Sequence, residues 1–306
     1  MSMEGAQILI AGVGGLGCSW ASKAHLRVNA DVDLVLIDAD ESSFELSKQA
    51  HVIKLGAESN ANGCAGLPPL GEQRMRNLSK ASMMLLKEVE LVILLLGLGG
   101  GTGTGAGMEF ARQAKRSGSV VITLAAEPFE SQKARREIAN EGLLELERIS
   151  DICVRLSLDR LAWQARERGS DWTMGALWVE EFVEGLVRTL MKMGLINLDM
   201  MDLKAIVSKD GKSTLLVAQG DANEPDLLFE NAMRAPLAEI DIFGATGCLL
   251  QIEGGLGMTV SQVSQVADIF TSRLDQNAQV ILGARISEDL HTTLRVVAVV
   301  SGKETD

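Results

Sequence analysis

The sequence predicts an α/β protein with an amino-terminal parallel sheet covered by helices on both faces, a long central helix and a smaller carboxyl-terminal α/β domain. Three observations support this class. Over the first half of the chain, short apolar runs alternate with stretches of helical spacing, a pattern typical of a parallel sheet. Residues 173–192 then keep helical spacing without a proline. Beyond residue 212, apolar runs return with helical stretches between them.

In the first half, strands are predicted at the apolar runs 8–11, 33–38, 91–97, 119–125 and 151–156. Helices are predicted between them, for example over 71–90 and 134–149. Open parallel sheets bind ligands at the carboxyl ends of their strands, in the loops that lead into helices. The loops at 12–17, 63–66 and 97–107 are rich in glycine, so we expect all three to face one cleft.

In the second half, strands are predicted at 213–219, 246–253, 278–286 and 293–300, with helices near 224–235 and 259–275. We expect a domain over residues 1–172, a connecting helix over 173–193 and a second domain over 194–306. The chain stops soon after its last predicted strand, without a low-complexity tail.

Composition excludes several classes of protein. The 306 residues carry a net charge of −12 and no tyrosine, so nucleic acid is not an expected partner. The cysteines and histidines are scattered and form no C-x-x-C pair, so we expect no protein-built metal site. No signal peptide is visible and no apolar run is long enough to span a bilayer. We therefore expect a cytoplasmic protein without direct membrane insertion.

The first glycine loop has the G-x-G-x-x-G spacing of a Rossmann-like dinucleotide site. Gly12, Gly14 and Gly17 follow an apolar strand and precede a helical stretch, and Asp38 ends the next apolar run. Dinucleotide-binding domains place an acid at that position. Taken alone, the loop fits a nicotinamide or flavin enzyme, and also an adenylating enzyme of the ubiquitin-activating type.

The third glycine loop is more specific. Seven of the eleven residues in "GLGGGTGTGAG", 97–107, are glycine, and they lie between a buried strand and a helix. Successive backbone N–H groups in such a loop form an anion-binding nest, and the following helix adds its positive dipole end. The hydroxyl groups of Thr102 and Thr104 are candidates for contact with phosphate oxygens. We expect this loop to bind a polyphosphate.

The motif "GGGTGTG" at 99–105 resembles the signature of the tubulin/FtsZ superfamily, and further blocks match in the same order. "GLINLDMMDLK", residues 194–204, is similar to the synergy loop of that family. "PPLG" at 68–71, "LDRL" at 158–161 and "LRVVAVVSG" near the end also fit. A dehydrogenase or an adenylating enzyme leaves the glycine–threonine motif and the synergy loop unexplained. The resemblance covers nearly the whole chain and is nearer to FtsZ than to tubulin in length.

The resemblance implies a GTPase that binds GTP or GDP with Mg²⁺ on its first domain. The residues in the matching loops are Gly12, Gly14, Gly15, Gly17, Cys18, Ser19, Gly63, Ala65, Gly66, Gly99, Gly100, Gly101, Thr102, Gly103, Thr104, Gly105, Glu130, Arg135, Leu158, Trp172 and Ala176. In the first loop the sequence departs from the family pattern, since Cys18 replaces a glycine and Ser19 an asparagine. Arg135 keeps the place of a family arginine, while Glu130 or Ser131 takes that of an acid.

The same resemblance implies head-to-tail assembly of this chain with itself. The synergy loop of one subunit covers the nucleotide of the next, where Asp199 and Asp202 activate the attacking water and Asn197 orients it. Such a contact is open and produces filaments. It points to a cytoskeletal role in cell division or membrane remodelling, with a membrane adaptor that the sequence does not identify. A simpler interpretation of the same acids is helix capping, for which Asp is a common residue.

The predicted base pocket departs from the family pattern. Leu158 stands where FtsZ has an asparagine, and Ala176 where it has an acid that hydrogen-bonds guanine. Trp172 keeps an aromatic residue for stacking, which does not discriminate between bases. Glu180 or Glu181 would serve as the acceptor if the alignment were shifted by one helical turn. We therefore expect weaker selectivity for guanine than in FtsZ.

The sequence ends without the linker and the carboxyl-terminal peptide that FtsZ usually carries, so we expect either a divergent FtsZ-like protein or a chain from which that tail was removed. A nucleotide-binding filament scaffold with little or no hydrolysis remains an alternative. The altered base pocket favours the scaffold, whereas the intact synergy-loop acids favour a hydrolase.

Overall fold

The computed structural model describes residues 7–28, 30–44, 47, 49–56, 62–167, 169, 178–191, 195–196, 198–209, 212–234 and 242–303. The chain forms two compact units, Met1–Glu184 and Gly185–Asp306, each with its own sheet.

The first unit is organised around a six-stranded parallel sheet. Its strands are β1 (Ile8–Val13), β2 (Asp33–Asp38), β3 (His51–Lys54), β4 (Leu91–Gly97), β5 (Val120–Glu127) and β6 (Ile152–Ser157). They lie in the order β3-β2-β1-β4-β5-β6. Each residue of β1 is buried, as are the first six of β4 and the first seven of β5, because helices cover both faces of a parallel sheet.

The helices of this unit are α1 (Gly14–Arg27), α2 (Pro68–Asn77), α3 (Ser79–Leu85), α4 (Gly107–Arg116), α5 (Lys133–Ile149), α6 (Leu158–Glu167) and the first part of α7 (Trp178–Met191). Most strands pass into a helix through a short connection, so the carboxyl edge of the sheet is lined by helix amino termini. That edge is where the sequence places its glycine loops.

Strand β3 and the helix predicted over 71–90 differ from the sequence-based prediction. Strand β3 was not predicted, because only Ile53 of its four residues is buried and a single apolar position gives no pattern. It forms by pairing with β2 at the edge of the sheet. The single helix predicted over 71–90 is two helices, α2 and α3, since the backbone leaves helical geometry at Leu78 with φ −98° and ψ 14°.

The second unit contains the sheet β7-β10-β8-β9. Its strands are β7 (Lys212–Asp221), β8 (Gly247–Gly254), β9 (Gln279–Ile286) and β10 (Thr293–Lys303), and its helices are the remainder of α7, α8 (Met200–Val207), α9 (Pro225–Met233) and α10 (Val260–Thr271). Strand β10 is antiparallel to both β7 and β8, whereas β8 and β9 are parallel. Phe229 of α9 and Phe270 of α10 pack edge to face, with ring centroids 4.9 Å apart.

Helix α7 contains the division between the two units, which falls after Glu184. The predicted connecting helix over 173–193 begins before it, in residues 171–177, which lie outside the described residues. The domain limits expected at 172 and 194 therefore stay a prediction. Within the described residues, no helix has both the length and the apolar composition needed to cross a membrane.

Candidate functional site

A cleft of about 560 Å³ lies along the carboxyl edge of the first sheet. Residues at or just after the ends of five strands line it: Val13, Asp38, Gly97, Ala126 and Leu158. Of the residues predicted to bind nucleotide, the structure places eight on this cleft: Gly14, Gly15, Gly100, Gly101, Thr102, Gly103, Arg135 and Leu158. The first and third glycine loops therefore meet at one site, as expected from their positions after neighbouring strands.

The first glycine loop is a direct passage from β1 into α1. Gly14 has φ +73°, a left-handed backbone that favours glycine, and α1 begins there. A Cβ on Gly14 would stand 3.2 Å from the backbone nitrogen of Gly103, so the two glycine loops lie against each other. The loop thus directs the amino terminus of α1 at the cleft, where its unpaired N–H groups favour an anion.

The third glycine loop forms one wide turn, Gly101–Ala106, that runs directly into α4. The turn has π-helical hydrogen bonding, a geometry that often occurs at functional sites. A Cβ on Gly103 would overlap the carbonyl oxygen of Gly97, and one on Gly105 would overlap that of Pro68. Glycine is required at both positions because the turn lies directly against the backbone of Gly97 and Pro68.

The two threonines of this turn have different environments. The Thr104 hydroxyl accepts a hydrogen bond from the backbone N–H of Gly99 at 3.0 Å and so holds the loop closed. The Thr102 hydroxyl is buried, on a residue that lines the cleft, and has no hydrogen-bond partner within the described residues. A buried hydroxyl without a hydrogen-bond partner destabilises the protein. A ligand that supplies the partner removes this cost, and its binding is stabilised accordingly. Thr102 therefore fits a phosphate oxygen.

An acidic segment on the cleft was not predicted as part of the site. Asp38, Asp40, Ser42 and Ser43 all line it. Asp38 Oδ2 accepts from the Ser43 hydroxyl at 2.6 Å, and its Oδ1 accepts from the Ala39 N–H at 2.7 Å. Hydrogen bonds from the N–H and hydroxyl of Ser42 lower the pKa of Asp40. The signal was present in "DADESS", which directly follows a predicted strand.

Several predicted ligands are not among the residues that line the cleft, and the glycines among them lie close to the backbone of neighbouring segments. Gly12 is within β1, and a Cβ there would stand 2.6 Å from the carbonyl oxygen of Gly17. A Cβ on Gly17 would overlap the carbonyl oxygen of Leu95, so this glycine lets α1 approach β4. Gly99 has φ +84° and lies against the backbone of Arg135. Ser19 is half-buried on α1 and does not line the cleft.

Cys18 is a buried core residue and does not line the cleft. Its thiol lies 3.4 Å from the carbonyl oxygen of Gly12 and 3.7 Å from that of Ile37. Burial, with a smaller contribution from the Asp38 charge, raises the pKa of Cys18 far above its ordinary value. The thiol is therefore neutral and inert at neutral pH.

The second glycine loop, Asn62–Gly66, lies beside the turn Gly101–Ala106 of the third loop, but Gly63, Ala65 and Gly66 are not among the residues that line the cleft. Cys64, Ala65 and Gly66 all have left-handed backbones, with φ of 52°, 54° and 71°. Two consecutive non-glycine residues in that region carry strain. The course of this loop follows from the left-handed backbone at these three residues, which its glycine content alone does not predict.

The residues expected around the base are only partly within the described residues. Leu158 lines the cleft and is 7% exposed, whereas Trp172 and Ala176 lie outside the described residues. Glu130 is exposed and off the cleft, and its N–H donates to Asp159 Oδ2 at 2.9 Å.

Glu180, the alternative acceptor for the base, lies near Lys23 and Arg27 at the far end of α1. That end is about 20 Å from Gly14 at the helical rise per residue. Glu181 pairs with the same Arg27, at 3.8 Å. Burial raises the pKa of Glu180, and its Oε2 has no hydrogen-bond partner in the described residues. Neither acid is among the residues that line the cleft, and its role as the acceptor for the base stays a prediction.

The predicted synergy-loop acids begin α8 in the second unit. Asp199 Oδ1 accepts from the N–H of Met201 at 2.7 Å and of Asp202 at 3.0 Å, and Asp202 Oδ2 accepts from the N–H of Asp199 at 2.9 Å. This reciprocal arrangement is a capping box, so the capping interpretation is correct for both residues. Each carboxylate uses one oxygen in the box, and Asp199 is exposed. Asn197 lies outside the described residues.

Within the described residues, no group of three or more His, Cys, Asp or Glu side chains is arranged to hold a metal ion. Asp38 and Asp40 are two carboxylates on residues that line the cleft.

The chain matches two family models, the GTPase domain of the Tubulin/FtsZ family over residues 7–164 and the C-terminal domain of the FtsZ family over residues 214–304. It is similar to cell division protein FtsZ 2 of Halobacterium salinarum, with 32% identity over 98% of this chain and 77% of that protein. It is also similar to mitochondrial division protein fszA of Dictyostelium discoideum, with 28% identity over 97% of this chain and 58% of that protein.

Two solved structures have the same fold. An FtsZ dimer of M. jannaschii superposes with a TM-score of 0.84 at 28% identity, covering 98% of this chain and 89% of that one. A GTPγS-bound protofilament of CetZ2 from Haloferax volcanii gives a TM-score of 0.79 at 19% identity, with 98% and 94% covered. The second likeness is one of fold alone.

Proposed function

The chain belongs to the tubulin/FtsZ family and is a cytoskeletal GTPase, and from this premise we propose that it hydrolyses GTP at a head-to-tail contact between two copies of itself. In this proposal the cleft of one subunit holds the nucleotide. Asp199 and Asp202 of the next subunit, with Asn197, complete the site. The assembly acts in cell division or membrane remodelling in the cytoplasm.

The observation that carries nucleotide binding is the unpartnered hydroxyl of Thr102 on a cleft formed by two glycine loops. The phosphate oxygens would accept hydrogen bonds from the backbone N–H groups of the turn Gly101–Ala106 and of the first turn of α1. Arg135 lies on the same cleft and adds a permanent positive charge. These groups offset the repulsion that Asp38 and Asp40 would otherwise exert on a polyphosphate.

Mg²⁺ is part of this proposal. The carboxylates of Asp38 and Asp40 would hold it together with phosphate oxygens, since Mg²⁺ in such sites takes one or two carboxylates and the substrate phosphates. When bound, the ion neutralises charge that develops on the phosphate oxygens. The hydrogen bonds that Ser42 and Ser43 donate fix the two carboxylates for that purpose.

The proposed hydrolysis needs a group that orients a water molecule toward the terminal phosphate. The capping box fixes the Asp199 carboxylate in one orientation and leaves its second oxygen for a water proton. Water attacks the terminal phosphorus, the bond to the bridging oxygen of GDP breaks, and the water proton passes to the carboxylate or onto phosphate. Positioning supplies most of the rate in phosphoryl transfer, so an acid held by two backbone N–H groups is well suited to it.

The shape of the second unit supports self-assembly. The carboxyl ends of β8 and β9, the amino end of β10 and the segment around Ile196 all lie at one end of its sheet, as the pairs Gly254–Ile286, Leu294–Gly254 and Ile196–Ala284 require. Six exposed apolar side chains lie on the segments at this end: Leu195, Ile196, Met201, Leu227, Leu256 and Val260. An exposed apolar surface of this kind is typical of an interaction site. A second copy of the chain is the proposed partner.

The capping box also favours a second candidate function, a nucleotide-binding filament scaffold with little turnover. Capping alone explains why the chain has acids at these two positions. In that case the residues stabilise α8 and have no part in chemistry.

Asp199→Asn separates capping from catalysis, because Asn caps helices as well as Asp but cannot accept a proton. We expect an unchanged melting temperature, unchanged GTP affinity of the isolated subunit, and a fall in phosphate release of about 100-fold or more. The matched control is Asp221→Asn, an exposed acid that accepts the N–H of Asn223 at the same end of the sheet. Substantial turnover in Asp199→Asn equal to that of the wild type would show that Asp199 has no part in the chemistry, and negligible turnover in both proteins would support the scaffold.

A further inference from the structure

The synergy segment is held by the edge strand of the second sheet. Ile196 donates its N–H to the carbonyl oxygen of Ala284 at 3.0 Å and accepts the Ala284 N–H at 3.2 Å. The two residues form an antiparallel bridge on the outer edge of β9. The bridge fixes the chain three residues before Asp199.

A second contact holds the segment between the bridge and the acid. Leu198 is only 5% exposed, although Leu195 and Ile196 nearby are 71% and 48% exposed. It packs on Gly283 of β9, where a Cβ would stand 2.7 Å from Leu198 Cγ and 2.8 Å from its Cδ1. The same Cβ would also overlap the end of the Gln251 side chain, which lies opposite on β8.

Space is the reason for glycine at 283. Gly283 is not among the glycines with positive φ, so other residues can adopt its backbone conformation. A methyl group there overlaps the far end of the Gln251 side chain and the branched carbon of buried Leu198. Leu198 is the residue directly before the capping residue Asp199, so a displacement of its side chain bears on the position of that acid.

We infer that Gly283 is a positioning residue for GTP hydrolysis: its missing side chain lets Leu198 dock on β9 and sets the Asp199 carboxylate against the neighbouring subunit's nucleotide. The inference rests on the proposed function, in which Asp199 acts across the contact. Gly283 touches no reacting atom and acts through Leu198.

The first test is Gly283→Ala. We expect GTP affinity of the isolated subunit and KM to stay within about twofold, while kcat falls about 100-fold, because a displacement of about 1 Å costs that much in a positioned reaction. The matched control is Gly220→Ala, on the opposite edge strand of the same sheet, where the atom nearest the added methyl is the end of the Leu228 side chain at 3.3 Å and the backbone is at 3.9 Å. Its kcat should match that of the wild type.

A rescue variant distinguishes positioning from simple destabilisation. Leu198→Ala in the Gly283→Ala background removes the atoms that overlap, so the double variant should recover at least about tenfold in kcat over Gly283→Ala. The inference is overturned if Gly283→Ala is folded and has wild-type kcat, or if its kcat falls only in proportion to its folded fraction without rescue.

If Gly283→Ala does not fold, Leu198→Ala tests the same inference, because it removes the side chain that docks on Gly283. We expect a lower kcat with unchanged nucleotide affinity, and an unchanged kcat would overturn the inference. A different result, wild-type turnover in Asp199→Asn, would contradict the proposed function itself.

Discussion

At the scale of single residues, the third glycine loop contains two threonines that differ in what their hydroxyls contact. Thr104 closes the loop through Gly99, and Thr102 has no partner among the described residues. The same residue type thus stabilises the fold at one position and is available to a ligand two residues earlier. Substitution by the isosteric valine tests each role.

Thr102→Val should lower the affinity for both GTP and GDP by about 10- to 100-fold, since a hydrogen bond to a charged group contributes about 1.5–3 kcal/mol. The free energy of unfolding without nucleotide should not fall, because the variant removes a buried polar group that had no partner. Thr104→Val should instead lower that free energy by about 1–3 kcal/mol, because the Gly99 N–H loses its acceptor. Calorimetric titration and urea unfolding measure the two effects. Equal nucleotide affinity in Thr102→Val and wild type would contradict the assignment.

At the scale of elements, α1 depends on its glycines for contact with the sheet as much as for the phosphate loop. Gly17 lies where the helix crosses β4, whereas Gly15 faces the cleft, with its nearest neighbours at 3.8 Å from a Cβ. Two glycines of one motif therefore respond differently to the same substitution.

Gly17→Ala should lower the free energy of unfolding by about 1–3 kcal/mol, because the added methyl overlaps the carbonyl oxygen of Leu95. In the middle of a helix where the added methyl meets no other atoms, a change from glycine to alanine raises the free energy of unfolding by about 0.5–1 kcal/mol. Gly15→Ala is the control and should be at least as stable as the wild type. Urea unfolding compares the three proteins, and the prediction is wrong if Gly17→Ala is as stable as Gly15→Ala.

At the scale of the whole molecule, the net charge of −12 opposes assembly of the chain with itself. Like-charged subunits repel over about a Debye length, which shortens as salt is added. The apolar surface around Ile196 and Leu256 is insensitive to that screening. Self-association should therefore be limited by electrostatic repulsion at low ionic strength.

The critical concentration for assembly should fall when KCl is raised from about 0.05 M to about 0.3 M at saturating GTP. Sedimentation measures it, and the Asp199→Asn variant removes hydrolysis from the comparison. An equal osmolality of sucrose is the control for effects other than charge. A critical concentration that rises with KCl would indicate that ion pairs, rather than apolar contacts, hold the subunits together.

The sequence by itself determined most of the first sheet and the location of the site. Apolar runs identify the buried strands because both faces of a parallel sheet are covered, so burial shows in the sequence without long-range information. The loops around Gly14 and Thr102 follow strands β1 and β4, which the apolar pattern had already identified. Strand β3 escaped prediction because its pairing with β2, and not its own side chains, makes it a strand.

Only the tertiary structure decided what each polar or glycine residue in those loops does. Thr102 is available to a ligand, and Thr104 is not, because the Gly99 N–H lies near one of them only. Gly17 serves packing because β4 passes under it, and Cys18 is inert because the core encloses it. Each of these depends on atoms distant in sequence, which local pattern and spacing do not specify.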